Sequence, residues 1–294
     1  MVSCRVIPWL HLFIVALDYA LRKAVNTNDG LTLRRRQSSR HPAVVLPDLD
    51  FADDICLFED TIRAAQDFLH RVESATQEIG LFLNASKTMV MHINPPVDPQ
   101  VLKARDGTVI EQVSDFKYLG SFSNTAYDVS HRIGLAWGAS HSLRKVWKAP
   151  IQNATKIKVF RSSVESILLY GSDSWSLTKT LCKKLDGNYT RLLRTTLNVD
   201  WKSHTTNTQL YNGLPRITRV IRDRRLALAG HVMRHDEMAG RVLLWRPDDK
   251  RRRGRPSLTL KRVIEEDVGL QDGDLLSVMR DRAAWRNFIV SPEG

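Results

Sequence analysis

The sequence predicts an α+β protein. A small antiparallel sheet with helices occupies residues 1–124, a helical segment residues 125–200, and a mostly helical, basic region residues 201–294. Three observations predict this. Apolar residues alternate on either side of Asp53-Asp54, as in two short strands meeting at a turn. From Asp128 to Val199 apolar residues return at three- and four-residue steps. Beyond Asp200 arginine becomes frequent, with 19 Lys+Arg against 12 Asp+Glu. A chain of 294 residues has room for two or three modest domains.

The elements follow in chain order. Leu10, Phe13, Ile14, Leu17 and Leu21 share a helical stripe, and NTNDG ends it. The apolar stretch Val6–Leu21 is too short to span a bilayer and contains Asp18, so it reads as a buried helix, with a signal or anchor segment as the alternative. A basic loop, TLRRRQSSRHPA, leads to the strand pair Leu46–Phe58. A helix over Thr61–Ile79 buries Ile62, Ala65, Leu69, Val72 and Ile79, with Asp60 as N-cap and Gly80 as terminator. A turn at Asn84-Ala85-Ser86 precedes a strand through Met89 and Ile93. NPPVDPQ breaks the chain, and VIEQVSDFKYLGS suggests another strand pair. Three helices follow: Ser130–Trp147, Thr155–Tyr170 closed by Gly171, and Thr178–Leu197. No internal repeat is visible.

Charge narrows the function classes. A formal net charge of +12 favours a polyanionic partner, nucleic acid before an anionic membrane surface. Cys4, Cys56 and Cys182 are odd in number and far apart. They form neither a disulfide framework nor paired zinc ligands, which favours a reducing, intracellular compartment.

LDFADDICLF carries the sharpest chemistry. Adjacent side chains on a straight strand point to opposite faces, so Asp53 and Asp54 can serve one site only where the chain turns. Two carboxylates this close repel, and a hard divalent ion such as Mg²⁺ relieves that while leaving room for phosphate oxygens. Two such ions support in-line phosphoryl transfer. An Asp-Asp pair in an ordinary solvated turn is the competing reading.

Several motifs then fall in one order. LDFADDICLFEDTIRAAQDFLHRVESATQEIGLFLNASKTMVM, FKYLGS, LLYGSDSWSLT, RRLALAGHVMRHD and RRRGRP together resemble the reverse transcriptases of LINE-type (non-LTR) retrotransposons, RNA-directed DNA polymerases. FIVALDYALRKAV resembles the palm helix that precedes the metal hairpin. The resemblance implies an incomplete polymerase palm followed by a helical thumb and a basic downstream region. It implies Asp53 as a Mg²⁺ ligand and Asp54 as a nearby supporting carboxylate. Lys87, in NASKT, would lie near the incoming-nucleotide phosphates, where a compact cation suits a leaving pyrophosphate; a solvated turn lysine is the alternative. Lys117 and Tyr118 match the hairpin that grips the primer end, and an ordinary edge-strand lysine is nearly as good a reading. RNA and DNA are the implied partners.

The same resemblance exposes a gap. The family's third carboxylate sits on a strand that would precede residue 1, as would the fingers, and the glycine-rich motif ahead of the first palm helix is replaced by MVSCRVIPW. Asp18 lies within a helix and cannot substitute. Phosphoryl transfer depends on positioning and charge stabilisation, so the expectation is a fragment inactive as a polymerase by itself, with an open sheet edge, and at most a nucleic-acid binder. Completion by an upstream segment or partner, and a relic without a role, are the rivals.

Lys250, Arg251, Arg252, Arg253 and Arg255 flank Gly254 and Pro256, which keep the run out of a helix. Phosphate-backbone binding, nuclear targeting and a plain charged linker all fit it. His231 and His235 stand at i, i+4, but no cysteine pair accompanies them, and Val232 stands where HExxH needs glutamate. Trp137, Trp147, Trp175, Trp201, Trp245 and Trp285 read as core residues before base-stacking ones.

Overall fold

A computed structural model describes residues 7–27, 29–34, 38, 43–93, 100–235, 238–243, 259–270 and 272–290. It is mixed, with mostly helix and a few short strands. The chain divides into two compact units, residues 1–119 and 120–294.

The first unit opens with α1 (Ile7–Ala24), β1 (Leu31–Arg34), β2 (Val44–Leu46), β3 (Asp48–Phe51) and β4 (Asp54–Leu57). It continues with α2 (Ile62–Glu78), β5 (Met89–Met91), β6 (Glu111–Val113) and β7 (Lys117–Tyr118). Helices α1 and α2 pack through Leu17, Ala20, Leu21 and Ala24 against Phe68, Val72 and Ala75, and Ile55 and Leu57 lie against this cluster. The expectation of a buried α1 holds for one face only, because Leu12, Val15 and Tyr19, at 60, 66 and 63% exposure, form a second stripe that faces outward. The N-cap of α2 is Thr61, not Asp60: its hydroxyl accepts from the Ala64 N–H at 3.2 Å. A cap reaches the N–H three residues on, and that geometry selects the residue next to the helix.

The expected antiparallel sheet exists as separate two-stranded ribbons. β1 pairs antiparallel with β2 and β3 with β4. β5 pairs with β6 in parallel register, Met89 opposite Glu111. Strands of two to four residues offer too little ladder to join these ribbons into one layer.

The second unit opens with β8 (Ser121–Phe122) and runs through α3 (Thr125–Ser142), α4 (Arg144–Lys148) and α5 (Asn153–Phe160). A π-turn over Arg161–Glu165 leads from α5 into α6 (Ser166–Leu168). Then come α7 (Lys179–Thr196), α8 (Asn207–Tyr211), α9 (Ile217–Arg234), α10 (Met238–Leu243), α11 (Leu260–Val268), α12 (Asp272–Arg280) and α13 (Arg282–Val290). Asn124 caps α3 by accepting from the Ala126 and Tyr127 N–H groups, and Thr178 caps α7. The first predicted helix therefore starts five residues earlier than Ser130 and breaks at Leu143 into α3 and α4.

One apolar core joins α3 to α7 with Leu210, Ile217 and Ile221 of α8 and α9. A second joins α9 to α11, α12 and α13 around Trp285. The Trp285 indole donates to the Leu226 carbonyl at 2.7 Å and lies on Gly230, where a Cβ would collide with the ring. Close approach of this kind is what a helical glycine permits.

Candidate functional site

The aspartate pair sits at a tight hairpin. Phe51 pairs with Asp54, so the loop is Ala52-Asp53, and Ala52 takes a left-handed backbone with φ 56°. Asp53 occupies the turn and Asp54 begins β4; both are exposed, as are Phe51 and Ala52. Water therefore screens the repulsion between the two carboxylates.

The register also inverts one strand. Directly opposed residues share a face. Asp48 opposes Leu57 and Asp50 opposes Ile55, while Leu49 opposes Cys56. The face that carries Ile55 and Leu57 to the α1–α2 cluster thus also carries Asp48, half-buried, and Asp50, which is exposed. Leu49 and Phe51 point outward, at 44 and 63% exposure.

Burial, then the Asp48 charge and hydrogen bond, then Asp18, push the Asp50 carboxyl up to about 7. Desolvation and like charge both favour its neutral form. Asp50 in turn adds to burial in raising the Cys56 thiol. Asp18 of α1, ion-paired with Arg22 at 2.9 Å, acts on this inner cluster. Sequence reading missed Asp48 and Asp50, although their i, i+2 spacing on a strand places them on one face.

Tyr118 lies against the outside of this hairpin. Its hydroxyl donates to the Leu49 carbonyl of β3 at 3.1 Å. Burial raises its pKa, followed by Cys56, Asp50 and Asp54. The Phe116 and Tyr118 rings stack with centroids 6.4 Å apart, and Lys117 between them is exposed. Tyr118 thus braces the strand that leads into the Asp53-Asp54 turn.

Lys87 is exposed in a turn whose backbone closes on Asn84, with Lys87 N–H to the Asn84 carbonyl at 3.0 Å and Ser86 Oγ to Asn84 Oδ1 at 2.7 Å. Lys250, Arg251, Arg252, Arg253 and Arg255 lie outside the described residues. His231 and His235 do come together, with ring centroids 4.4 Å apart.

Carboxylate oxygens are the right donors for Mg²⁺, and Asp53 and Asp54 supply two such groups on one turn. Asp48 and Asp50 share the opposite face from Asp54. Among the described residues no group of three or more His, Cys, Asp or Glu is arranged to hold a metal ion. The hairpin suits a hard cation in kind, and water would have to supply most of the shell.

In the second unit, two further motif strings meet at one buried knot. Asp128, 1% exposed, accepts from Trp175 Nε1 at 2.9 Å and from the Phe122 N–H at 3.2 Å, and lies 3.8 Å from Arg132 Nε. Arg132 donates to the Gly120 carbonyl and sits 4.3 Å from the centroid of Tyr170. Gly171 has φ 70°, and a Cβ there would strike Ser121 Oγ. Gly120 and Ser121 of FKYLGS and Tyr170, Gly171 and Trp175 of LLYGSDSWSLT are therefore packing residues around Asp128.

The α9 arginines are similarly engaged. Arg225 donates to Asp267 at 2.6 and 3.0 Å and to the Trp175 carbonyl at 3.2 Å. Arg222 donates to the Asp267 and Phe288 carbonyls, Arg224 to the Leu169 carbonyl and Arg219 to Asp223.

Among the described residues no helix is long and apolar enough to cross a membrane. No family model matches the chain, and no solved structure does. The chain is similar to an uncharacterized transposon-derived protein of Caenorhabditis elegans, 24% identical over 266 residues that cover 83% of this chain and 95% of that protein. That similarity points to a transposon-related origin for the chain.

Proposed function

We propose that the chain derives from the reverse transcriptase of a LINE-type retrotransposon and acts, taken alone, as a nucleic-acid-binding protein without polymerase activity. The observation that carries the reading is the antiparallel hairpin that sets Asp53 in a two-residue turn and Asp54 beside it. The palm-like motif resemblance and the similarity to a transposon-derived protein support it. Asp53 and Asp54 would hold Mg²⁺, which when bound supplies charge stabilisation for phosphoryl transfer. Lys87 would meet nucleotide phosphate, Lys117 and Tyr118 a primer strand, and Lys250 to Arg255 a nucleic-acid backbone. On this reading a site built from two exposed carboxylates would align an attacking oxygen poorly, and an error of about 1 Å costs roughly a hundredfold.

Primer extension on an RNA template, with the wild-type chain and Asp53→Asn, tests the proposal. The expected result is no template-directed product from either protein. Product from the wild type that disappears in Asp53→Asn overturns the inactive reading. Labelled RNA and DNA binding should weaken linearly in log affinity with log salt. Absence of binding at low salt removes the nucleic-acid function altogether.

A further inference from the structure

We propose that a cleft on the helical side of the first unit, away from the Asp53-Asp54 turn in sequence and in its elements, is a phosphate-binding site. The cleft has a volume of about 400 Å³ and lies between the end of α1, the C-terminal half of α2 and Arg105. Ala24 and Ala75 form its floor, and both are buried. Its walls carry Lys23, Arg71 and Arg105, with His70, Ser74 and Glu78. Small residues below and long cations around the rim leave room for a compact anion.

The donors are unequally committed. Arg71 is held in place, Nε on the Ala24 carbonyl at 3.0 Å and Nη2 on Asp29 at 2.5 Å. Asp29 is itself turned to the backbone, accepting from the Asn26 N–H at 2.6 Å. Glu78 lies on Lys23 Nζ at 2.5 Å, which leaves that ammonium with further protons to donate. Glu73 is buried and accepts from the Arg105 N–H at 3.0 Å. This bond fixes the backbone from which the Arg105 side chain springs.

Among the described residues the Arg105 guanidinium donates to Ser74 Oγ at 2.5 Å, whose own proton goes to the His70 carbonyl at 2.7 Å, and the Arg105 side chain is exposed. An exposed guanidinium, with an ammonium and a second arginine nearby, offers N–H donors to the oxygens of a phosphate group. The phosphate has two possible sources, a nucleic-acid strand or a free nucleotide.

The proposal extends the nucleic-acid reading to a different surface, so its test keeps the two apart. The full chain is titrated with a fluorescein-labelled 20-nucleotide single-stranded RNA over a salt series and, separately, with ATP. The variants are Arg105→Gln, Lys23→Gln/Arg105→Gln, the control Lys183→Gln at an exposed position of α7 and, for the earlier reading, Lys87→Gln. If a strand occupies the cleft, Arg105→Gln weakens RNA about five- to tenfold and lowers the salt slope by about one, at unchanged melting temperature. If a nucleotide occupies it, the same loss appears with ATP and RNA binding is unaffected.

Lys183→Gln should leave both RNA and ATP binding unchanged. RNA and ATP affinities equal to wild type in both cleft variants overturn the site, even where wild-type RNA binding itself is strong. Loss of RNA binding in Lys87→Gln alone bears on the earlier reading and not on this one.

Discussion

Replacement of Asp128 by alanine should be among the most damaging single changes in the second unit. The carboxylate accepts the Trp175 indole N–H at 2.9 Å and the Phe122 N–H at 3.2 Å, and faces Arg132 at 3.8 Å. The alanine variant leaves two buried donors unpaired, at roughly 1–3 kcal/mol each. It also leaves a guanidinium that is 9% exposed without its counter-charge, and breaking a buried pair costs about 3–5 kcal/mol. These contributions overlap because the groups share one knot. Arg132 keeps the Gly120 carbonyl and the Tyr170 ring.

A net loss of about 4 kcal/mol follows, equivalent to roughly 10 °C in melting temperature for a unit of this size. Asp128→Asn keeps an acceptor for Trp175 and gives up the charge, so it should lose about half as much. Six of the seven tryptophans, all but Trp9, lie in residues 120–294. Urea unfolding followed by tryptophan fluorescence therefore reports on this unit. An alanine variant within about 1 kcal/mol of wild type at unchanged m-value, or an asparagine variant as weak as alanine, would refute the reasoning.

Glycines in α3 and α9 should respond in opposite directions. Gly134→Ala and Gly138→Ala meet nothing within 4 Å and should each stabilise by about 0.5–1 kcal/mol through helix propensity, whereas Gly230→Ala drives a methyl into Trp285 and should cost about 1–3 kcal/mol; thermal melts of the three variants check this. Asp50 keeps its proton in the folded state up to about 7, against an ordinary 3.8, so the unfolded chain releases it first and stability declines as pH rises from about 4 through 7. The side chain is partly solvated, so the full gap is discounted to about 1 kcal/mol, and Asp50→Asn should be the more stable protein at pH 8 with no advantage at pH 4, as measured by urea denaturation read by circular dichroism. Changing Arg251, Arg252 and Arg253 to glutamine should lower the salt slope of RNA binding by about one for each lost phosphate contact; a slope equal to wild type removes that run from the interface.

The hairpin was legible because alternation stops at two adjacent acids, and the helices of the second unit because their apolar spacing is regular and Asn124 and Thr178 supply caps. The orientation of β3 was not read, although the arithmetic was available. A two-residue loop forces Phe51 opposite Asp54, and every pairing behind it follows, which puts Leu49 with Cys56 and Asp50 with Ile55. Alternation within each strand was right; the relative phase of the two strands decides which side is apolar.

The parallel pairing of β5 with β6 was out of reach for a local reading, since the partners are 22 residues apart, Met89 with Glu111. The same holds for the Asp128 knot and for the cleft at Arg105, both built from segments that periodicity cannot bring together. The FKYLGS and LLYGSDSWSLT strings were recognised as motifs, but their meeting through Gly120, Tyr170 and Gly171 is a matter of packing that composition does not announce.

The arginines of α9 have a consequence for any experiment with polyanions. In the native state Arg222 and Arg225 hold carbonyls and Asp267 inside the second unit, so an approaching strand finds fewer accessible guanidinium groups than the sequence promises. Melting releases them. The net charge is unchanged, but the denatured chain opens these groups to phosphate, so a polyanion binds the denatured form too and offsets part of the stabilisation that native-state binding brings. Excess RNA at low ionic strength should therefore raise the melting temperature of this unit by less than its native-state affinity alone would give.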